Sequence, residues 1–464
     1  MSFDKSRTNS NESSLEVQSI NEVEKPANWS NLRKWSIIVT ATLITFMVSF
    51  ASSVYSAVTS SIASEFNVSP QVSILGIVLY VAAFALGPMI WGPASELYGR
   101  TRPLFLGYFL FLVWQIPFSV ATNIETVLIA RFFAALFGSS TLAIVGGMMV
   151  DFLSPIERGI STGVYSVGVF CGPVLGPVFG TLINDSLGWR WTGWLTLIVG
   201  AFLGAICLLC TRESSPHVLR RRHARKFGLP CDEQQAGVRM FMEKYLTKPV
   251  RMLCFEPILM IFTAYMSLVY SILYLTLTMY PYAFSVTRNL DARTASLPFL
   301  FLLAGIIIAC VIITIHSVHV GKAQAAGRPF CPEDRLGPVV FGSLLLTAGL
   351  LWFAYTSDES RFHWILQASS GVLTGCGIIL VFMLSNLYLI EVYLASANSA
   401  LAMNIFVRSG IAAAFPILSR PMFNHLGVTG AVSMLGYICL GLAMFPPLMI
   451  LFGHRIRAWS KFAQ

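Results

Sequence analysis

Long apolar runs, separated by mostly short polar segments, extend over most of the chain. A segment of about 20 mostly apolar residues is long enough to cross a bilayer as a helix. Each such run is predicted to be a helix, because lipid offers the backbone amides and carbonyls no hydrogen-bond partner. The twelve runs that meet this length are residues 35–57, 72–91, 104–121, 126–149, 159–183, 191–210, 257–281, 295–318, 337–356, 363–386, 397–419 and 429–452.

The polar segments divide the twelve predicted spans into two groups of six. Residues 1–34 are rich in Ser, Asn and Glu and are predicted to form a disordered cytoplasmic tail. A long polar linker at 211–256 separates a first half at 35–210 from a second half at 257–452, and residues 453–464 form a second cytoplasmic tail. Two six-span halves joined by a long linker suggest an internal repeat, with a substrate site near the midplane between the halves.

The composition and the placement of the charges agree with a membrane protein. Hydrophobic residues make up 55% of the chain and charged residues 11%, and the mean hydropathy is +0.70. These values exclude an ordinary soluble domain and a disordered chain. With the N-terminus inside, 24 of the 31 Lys and Arg residues lie on the inner side and five on the outer side. The positive-inside rule therefore predicts that both termini are cytoplasmic. An integral membrane protein is expected, placed in the plasma membrane, and the basic linker is interpreted as a cytoplasmic loop and not as a site for a nucleic-acid partner.

The loop between the second and third predicted spans, GPASELYGRTR at 92–102, contains one acid, two bases and closely spaced glycines. Gly99 permits a sharp turn. Glu96, Arg100 and Arg102 can form ion pairs at the cytoplasmic mouth, where the ends of neighbouring spans supply Asp151 and Arg158.

The fourth and fifth spans contain two further motifs. Arg131 begins the stretch RFFAALFG in the fourth span. In the fifth span, glycines recur at every fourth residue and leave a stripe without side chains, along which another helix can approach closely. A dimerisation surface of the GxxxG type is the alternative interpretation of this stripe. The glycines and prolines concerned are Gly168, Gly172, Pro173, Gly176 and Pro177.

These motifs resemble those of the major facilitator superfamily, in particular the fungal branch of its twelve-span drug:proton antiporters. The resemblance covers roughly 34–460, with Glu96 where Asp is usual. It implies an all-α membrane fold of twelve transmembrane helices in two six-helix halves. It also implies export of a drug or fungal toxin by alternating access, in exchange for protons and without a cofactor. The gate implied at the inner mouth comprises Glu96, Gly99, Arg100, Arg102, Asp151 and Arg158.

The charges inside the spans limit the expected substrate. None of the 22 acidic residues falls at mid-membrane, whereas Arg131 and Arg408 lie within spans. A desolvated dication needs paired acids, so polyamines are disfavoured and a small lipophilic molecule, neutral or weakly acidic, is expected. The residues predicted to contact it are Arg131, Tyr165, Tyr270, Asn386, Asn404 and Arg408.

Some alternatives stay open at this stage. Without a mid-membrane acid, proton antiport is implied by the resemblance alone, and facilitated diffusion is an alternative. An importer or exporter of a polyamine or another nutrient, and a non-transporting membrane sensor, are the competing functions. No enzyme is expected, because the sequence shows no nucleophile with its base and no set of metal ligands, and no ATP-driven pump is expected, because the chain has no GxxxxGK[ST] motif. No metal site is predicted, the protein is expected to be a monomer, and the sequons at Asn67 and Asn184 are predicted to be glycosylation sites.

Overall fold

A computed structural model describes most of the chain. The described residues are 26–216, 218–221, 247–327, 331–393 and 396–460. Most of the predicted tail at 1–34, most of the linker at 211–256 and the last four residues therefore lie outside the described part.

Twelve helices, α1 to α12, follow one another in the described residues. In the first half they are α1 Asn31–Glu65, α2 Pro70–Tyr98, α3 Thr101–Val113 with its continuation Gln115–Ser119, α4 Ile124–Phe152, α5 Pro155–Leu187 and α6 Arg190–Cys210. In the second half they are α7 Pro257–Thr287, α8 Ala292–Ala325, α9 Pro332–Tyr355 and α10 Trp364–Val392. The segment Ala397–Ala443 contains both α11 and the start of α12, which Gly427 separates, and α12 continues as Phe445–Trp459.

Ten helical segments of the described chain are long and apolar enough to cross a membrane, and local sequence explains why twelve spans give ten segments. The third span is interrupted at Trp114, three residues before Pro117, which lacks the amide hydrogen that a helix needs. The last two spans run together as one segment, although Gly427, with φ 68°, has non-helical backbone angles. The chain is therefore an all-α membrane protein of twelve spans in two six-helix halves.

The helices also extend beyond the predicted boundaries. A 3-10 turn at Pro26–Asn28 and the start of α1 at Asn31 order the last residues of the predicted first tail. A short helix, Lys248–Phe255, lies in the predicted linker, and α12 continues to Trp459 within the predicted second tail. Polar residues can continue a helix outside the hydrophobic layer, so hydropathy alone predicts helices that are shorter than those observed.

The two halves pack in equivalent ways. Within the halves, α1 packs on α5 and α7 packs on α11, while α2 packs on α4 and α8 packs on α10. Between the halves, α2 packs on α11 and α5 packs on α8. Adding six to each helix number converts the contacts of the first half, α1–α5 and α2–α4, into those of the second half, α7–α11 and α8–α10. This is the pattern expected of an internal repeat.

The glycine stripe of α5 is covered by α1 of the same chain. A Cβ at Gly168 would lie 2.6 Å from the Thr42 carbonyl oxygen, and one at Gly172 would lie 2.6 Å from the Phe50 nitrogen. At Gly176 the nearest backbone atom, the Val54 nitrogen, is 2.7 Å away. The stripe thus brings two helix backbones together inside the first half. Pro173 and Pro177 lie within this helix, which runs unbroken through both.

Candidate functional site

We call the end of the bundle where α1 begins and α12 finishes the terminal end, and the opposite end the distal end. A layer of aromatic rings lies between them, where the two halves meet. Phe170 of α5 lies edge-on to Phe382 of α10, with ring centroids 5.1 Å apart. Tyr270 of α7 stacks on Phe382 at 5.5 Å and lies edge-on to Tyr274 at 5.0 Å. We call these four side chains the aromatic layer. All four are buried.

Long hydrogen bonds lie within and beside this layer. The Tyr270 hydroxyl donates to the Tyr274 hydroxyl at 3.5 Å. The Tyr274 hydroxyl donates to Ser52 Oγ of α1 at 3.4 Å, which links the two halves. Tyr165 of α5 donates to the Thr141 carbonyl at 3.4 Å. Bonds of this length are readily exchanged for bonds to a ligand, since their geometry is at the long limit for hydroxyl groups.

Arg408 of α11 lies beside the aromatic layer, and 9% of it is exposed. Its Cζ is 4.4 Å from the ring centroid of Phe382 and 5.2 Å from that of Tyr270. Its Nη1 donates to Asn404 Oδ1 at 3.3 Å, while its Nε has no hydrogen-bond partner in the described chain. No described carboxylate forms an ion pair with it. The side chain is therefore a buried cation with spare hydrogen-bonding capacity.

Arg131 of α4 is also buried, with 4% exposed, but all three of its nitrogens are bonded. They donate to the carbonyls of Ala51 at 2.5 Å, Ser52 at 3.0 Å and Gly76 at 3.2 Å. The guanidinium also lies over the rings of Tyr55 and Tyr80, at 4.5 and 4.3 Å. Arg131 thus joins α4 to α1 and α2 and has no donor nitrogen left without a partner.

The two predicted asparagines differ in the same way. Asn404 is fully buried and donates to Thr263 Oγ1 at 3.1 Å while accepting from Arg408, so it fixes the arginine on α11 against α7. Asn386 of α10 donates to the Phe382 carbonyl one turn earlier, at 3.1 Å, and is partly exposed. Asn404 therefore positions a charged group, while Asn386 contacts its own helix.

At the terminal end, the predicted gate residues Arg100 and Asp151 form an ion pair. Arg100 Nε is 3.0 Å from Asp151 Oδ2, and 12% of each side chain is exposed. Arg100 Nη1 also donates to Ser95 Oγ at 3.0 Å, and Ser214 Oγ donates to Asp151 at 3.2 Å. Both charged residues belong to the first half, so this pair fastens α4 to the α2–α3 turn within that half.

Glu213, which follows α6, is part of the same cluster and was missed by the sequence analysis. Its carboxylate accepts from the backbone amides of Arg100 at 2.8 Å, Thr101 at 3.3 Å and Ser215 at 3.0 Å. The charge thereby caps the N-terminus of α3, where the helix dipole favours an anion. A Cβ at Gly99, where φ is 92°, would lie 2.4 Å from Glu213 Oε2, so both the turn and the cap require glycine there.

The other predicted gate residues take different positions. Arg158 at the start of α5 donates to the carbonyls of Leu153 at 3.0 Å and Val150 at 2.9 Å. Glu96 lines a cavity that opens at the terminal end, between the two halves. Arg102 is exposed and is not part of that cavity's lining.

The second half repeats the charge cluster at the same end of the bundle. Arg335, before the main helix of α9, pairs with Glu391 at the end of α10 at 3.1 Å, and 2% and 12% of the two side chains are exposed. Glu333 pairs with Arg457 of α12 at 3.0 Å. The sequence PEDRL at 332–336 has an acid and a base in the loop between the eighth and ninth spans, at the position that 92–102 takes in the first half. Counting six spans onward from that loop would have found it.

Two cavities approach the aromatic layer from opposite ends. The larger, about 410 Å³, opens at the terminal end between α2 and α4 of the first half and α10 and α11 of the second. Its charged lining residues are Glu96, Arg100, Asp151, Arg158 and Lys248. The smaller, about 280 Å³, lies at the distal end and is lined by many hydroxyl groups, together with Arg420 and Pro177.

The two glycosylation candidates lie near the distal end. Asn67 is exposed in the α1–α2 turn and has φ 52°. Asn184 lies within the last turns of α5, and its amide donates to Ser61 Oγ at 3.0 Å. Asn67 is therefore the more accessible of the two amides.

Residues 41–416 match the family model described as Major Facilitator Superfamily. The chain belongs to this superfamily. The superfamily consists of transporters, so the expectation of a transporter and not an enzyme is confirmed, and the fold named from the resemblance is correct.

Relatives from fungi align with almost the whole of this superfamily member. It is 40% identical to the citrinin biosynthesis cluster MFS transporter of Monascus ruber, over 96% of this chain and 91% of the relative. It is 39% identical to the ascochitine biosynthesis cluster MFS transporter of Didymella fabae, over 95% of this chain and 87% of the relative. The solved proton:xylose symporter XylE, at 14% identity, has the same fold, with a TM-score of 0.68 over 91% of this chain and 97% of that one.

Proposed function

We propose that the protein is an efflux transporter of the plasma membrane that exports a lipophilic organic compound, such as a fungal secondary metabolite, by alternating access. The substrate is a small molecule, neutral or weakly acidic, and the transporter works as a monomer in the bilayer. The terminal end faces the cytoplasm, because 24 Lys and Arg residues lie on that side and five on the other. Export then runs from the larger cavity to the smaller one.

The aromatic layer carries this proposal. It lies where the two halves meet, its four residues line neither cavity, and the contacts that cross it in the described chain are ring contacts and the long hydrogen bond from Tyr274 to Ser52. A planar, largely apolar molecule that carries a polar substituent can replace those ring contacts and accept hydrogen bonds from the Tyr270 or Tyr274 hydroxyl. The relatives that belong to biosynthesis clusters support a metabolite as the cargo.

The charge clusters at the terminal end hold each half together in this scheme. Arg100–Asp151 and Arg335–Glu391 each lie within one half, so each half keeps its shape while the halves rock against each other along α5–α8 and α2–α11. Proton exchange drives export, and Asp151 and Glu391 are the candidate carriers at the cytoplasmic mouth.

Accumulation measurements test the proposal. Yeast cells that lack their own multidrug pumps are loaded with a panel of lipophilic fungal metabolites, with and without the protein. Export predicts a lower cell content of one or more compounds, and nigericin, which collapses the pH gradient, restores that content. A higher content would identify an importer, an unchanged content throughout would favour a sensor, and export insensitive to nigericin would refute proton coupling.

The same assay tests the role of the Arg100–Asp151 ion pair. Arg100→Ala and Asp151→Ala are expected to reduce export at normal surface level, because each removes the ion pair that fastens α4 to the α2–α3 turn. Arg361→Ala, in the distal loop between α9 and α10, is the matched control, because 77% of its side chain is exposed. Normal export by both Arg100→Ala and Asp151→Ala would show that transport does not need this ion pair.

A further inference from the structure

The protein buries two arginines, one in each half, and their surroundings differ. Arg131 gives its guanidinium to three backbone carbonyls and two ring faces. Arg408 has one bond of 3.3 Å, to Asn404, and its buried Nε has no partner among the described residues. A charged side chain inside the membrane raises the free energy of the folded protein, and a buried N–H without an acceptor raises it further. Both features together are unusual for a residue whose role is purely structural.

The position of Arg408 suggests what completes its hydrogen bonding. Leu401 and Ile405 of α11 line the larger cavity, and Arg408 follows within a turn on the same helix face. A molecule that moves from this cavity toward the aromatic layer therefore meets the guanidinium first. The cavity itself has three bases and two acids among its charged lining residues, which favours an anion over a cation.

We infer that Arg408 holds the anionic group of a planar aromatic acid, while the ring of the ligand packs against Phe382 and Tyr270. This inference rests on the proposed export function and narrows its substrate class to organic anions: carboxylates and ionised phenols or enols. An oxyanion supplies the missing acceptor for Nε and the missing counter-charge together, and charge-assisted bonds of this kind are about twice as strong as neutral ones. The planar fork of arginine suits a carboxylate better than an ammonium group would.

Matched pairs of acids and amides test the inference. The probes are coumarin-3-carboxylate, 2-naphthoate and xanthone-2-carboxylate, each beside its own carboxamide, which has nearly the same shape without the charge. In the yeast assay, the wild-type protein is expected to export at least one acid at least fivefold faster than its amide. Arg408→Met is expected to reduce export of that acid at least tenfold, while Arg361→Met, which removes an exposed arginine, leaves it unchanged.

A fusion to a fluorescent protein separates loss of binding from loss of folding. If Arg408→Met fails to give a monodisperse peak, Arg408→Lys replaces it and is expected to raise the apparent KM for the acid at least fivefold at unchanged surface level. Equal export of acids and amides, or full acid export by the Arg408 variant, would refute the anion site and leave the exporter proposal standing. Export of neither series, and of nothing in the metabolite panel, would refute both.

Discussion

The contact between α1 and α5 makes Gly172→Ala a demanding test of the packing. In the structure, a Cβ at Gly172 would lie 2.6 Å from the Phe50 nitrogen and 2.7 Å from Ser49 Cβ, whereas ordinary contact begins at 3.4 Å. The nearest of these atoms belongs to the backbone and cannot rotate away. The two helices must therefore separate by 0.8 Å, the difference between 3.4 and 2.6 Å, along part of their contact.

The size of the effect follows from three contributions. A gap of about 0.5–1 Å forfeits a quarter to a half of the dispersion energy of each contact, and overpacking of this kind typically costs about 1–3 kcal/mol. Alanine recovers up to about 1 kcal/mol of helix propensity relative to glycine. A control with the same gain but no clash isolates the packing cost. Gly410 in α11 provides it, because, apart from its chain neighbours and the nearby backbone of its own helix, no described atom lies within 4 Å of its Cβ position.

The measurement is the thermal stability of the detergent-solubilised fluorescent fusion, read from the height of the monodisperse peak after heating. We expect Gly172→Ala to be less stable than Gly410→Ala by about 2 kcal/mol, which is roughly 4–8 °C for a unit the size of one half. Gly172→Val should lower stability further, since it adds two more methyl groups. Equal midpoints for the two alanine variants would refute the close α1–α5 contact.

Three other predictions rest on single contacts. Arg131→Met should prevent recovery of monodisperse protein, because three buried carbonyls lose their donors. Arg131→Lys should not restore recovery, because one ammonium group cannot take all three positions. A well-folded Arg131→Met protein would contradict this. Glu213→Ala should lower stability by about 1–2 kcal/mol through loss of the α3 cap, measured by the same peak-height assay, and an unchanged midpoint would show that the cap is dispensable. Asn67→Gln should abolish any endoglycosidase-sensitive gel shift, while Asn184→Gln should leave it, because the Asn184 amide donates to Ser61 Oγ of α1; the reverse result would refute this assignment.

The number of spans, the two halves and the family could be predicted from the sequence, because all three depend on patterns that are local in the chain. Apolar runs of bilayer length identify helices wherever they pack. Residue spacing within 92–102 and within the glycine stripe of α5 is likewise visible without a structure. Which helix covers the stripe could not be predicted, because any close neighbour satisfies the same spacing, and the choice of α1 depends on how six helices pack together.

The charge cluster of the first half shows a different limit of sequence reasoning. Arg100 and Asp151 could be proposed as partners because both lie beside predicted span ends on the same side of the membrane. Glu213 lies at that side too, but its role is to accept backbone amide hydrogens, and backbone donors have no signature in the residue types. A search for opposite charges therefore finds the ion pair and misses the cap.

Arg131 and Arg408 show why the substrate site was harder to predict than the fold. In the sequence both are single arginines in apolar spans, and both were predicted to contact the substrate. The difference lies in what faces them: α1 and α2 turn three carbonyls toward Arg131, while Arg408 faces aromatic rings that accept a cation but provide no lone pair for Nε. Each nitrogen of Arg131 already donates to a carbonyl, and the guanidinium lies over two rings, whereas Arg408 is held mainly by ring faces and its Nε has no partner in the described chain. The same residue type therefore fixes the helices in the first half and is available to recognise an anion in the second.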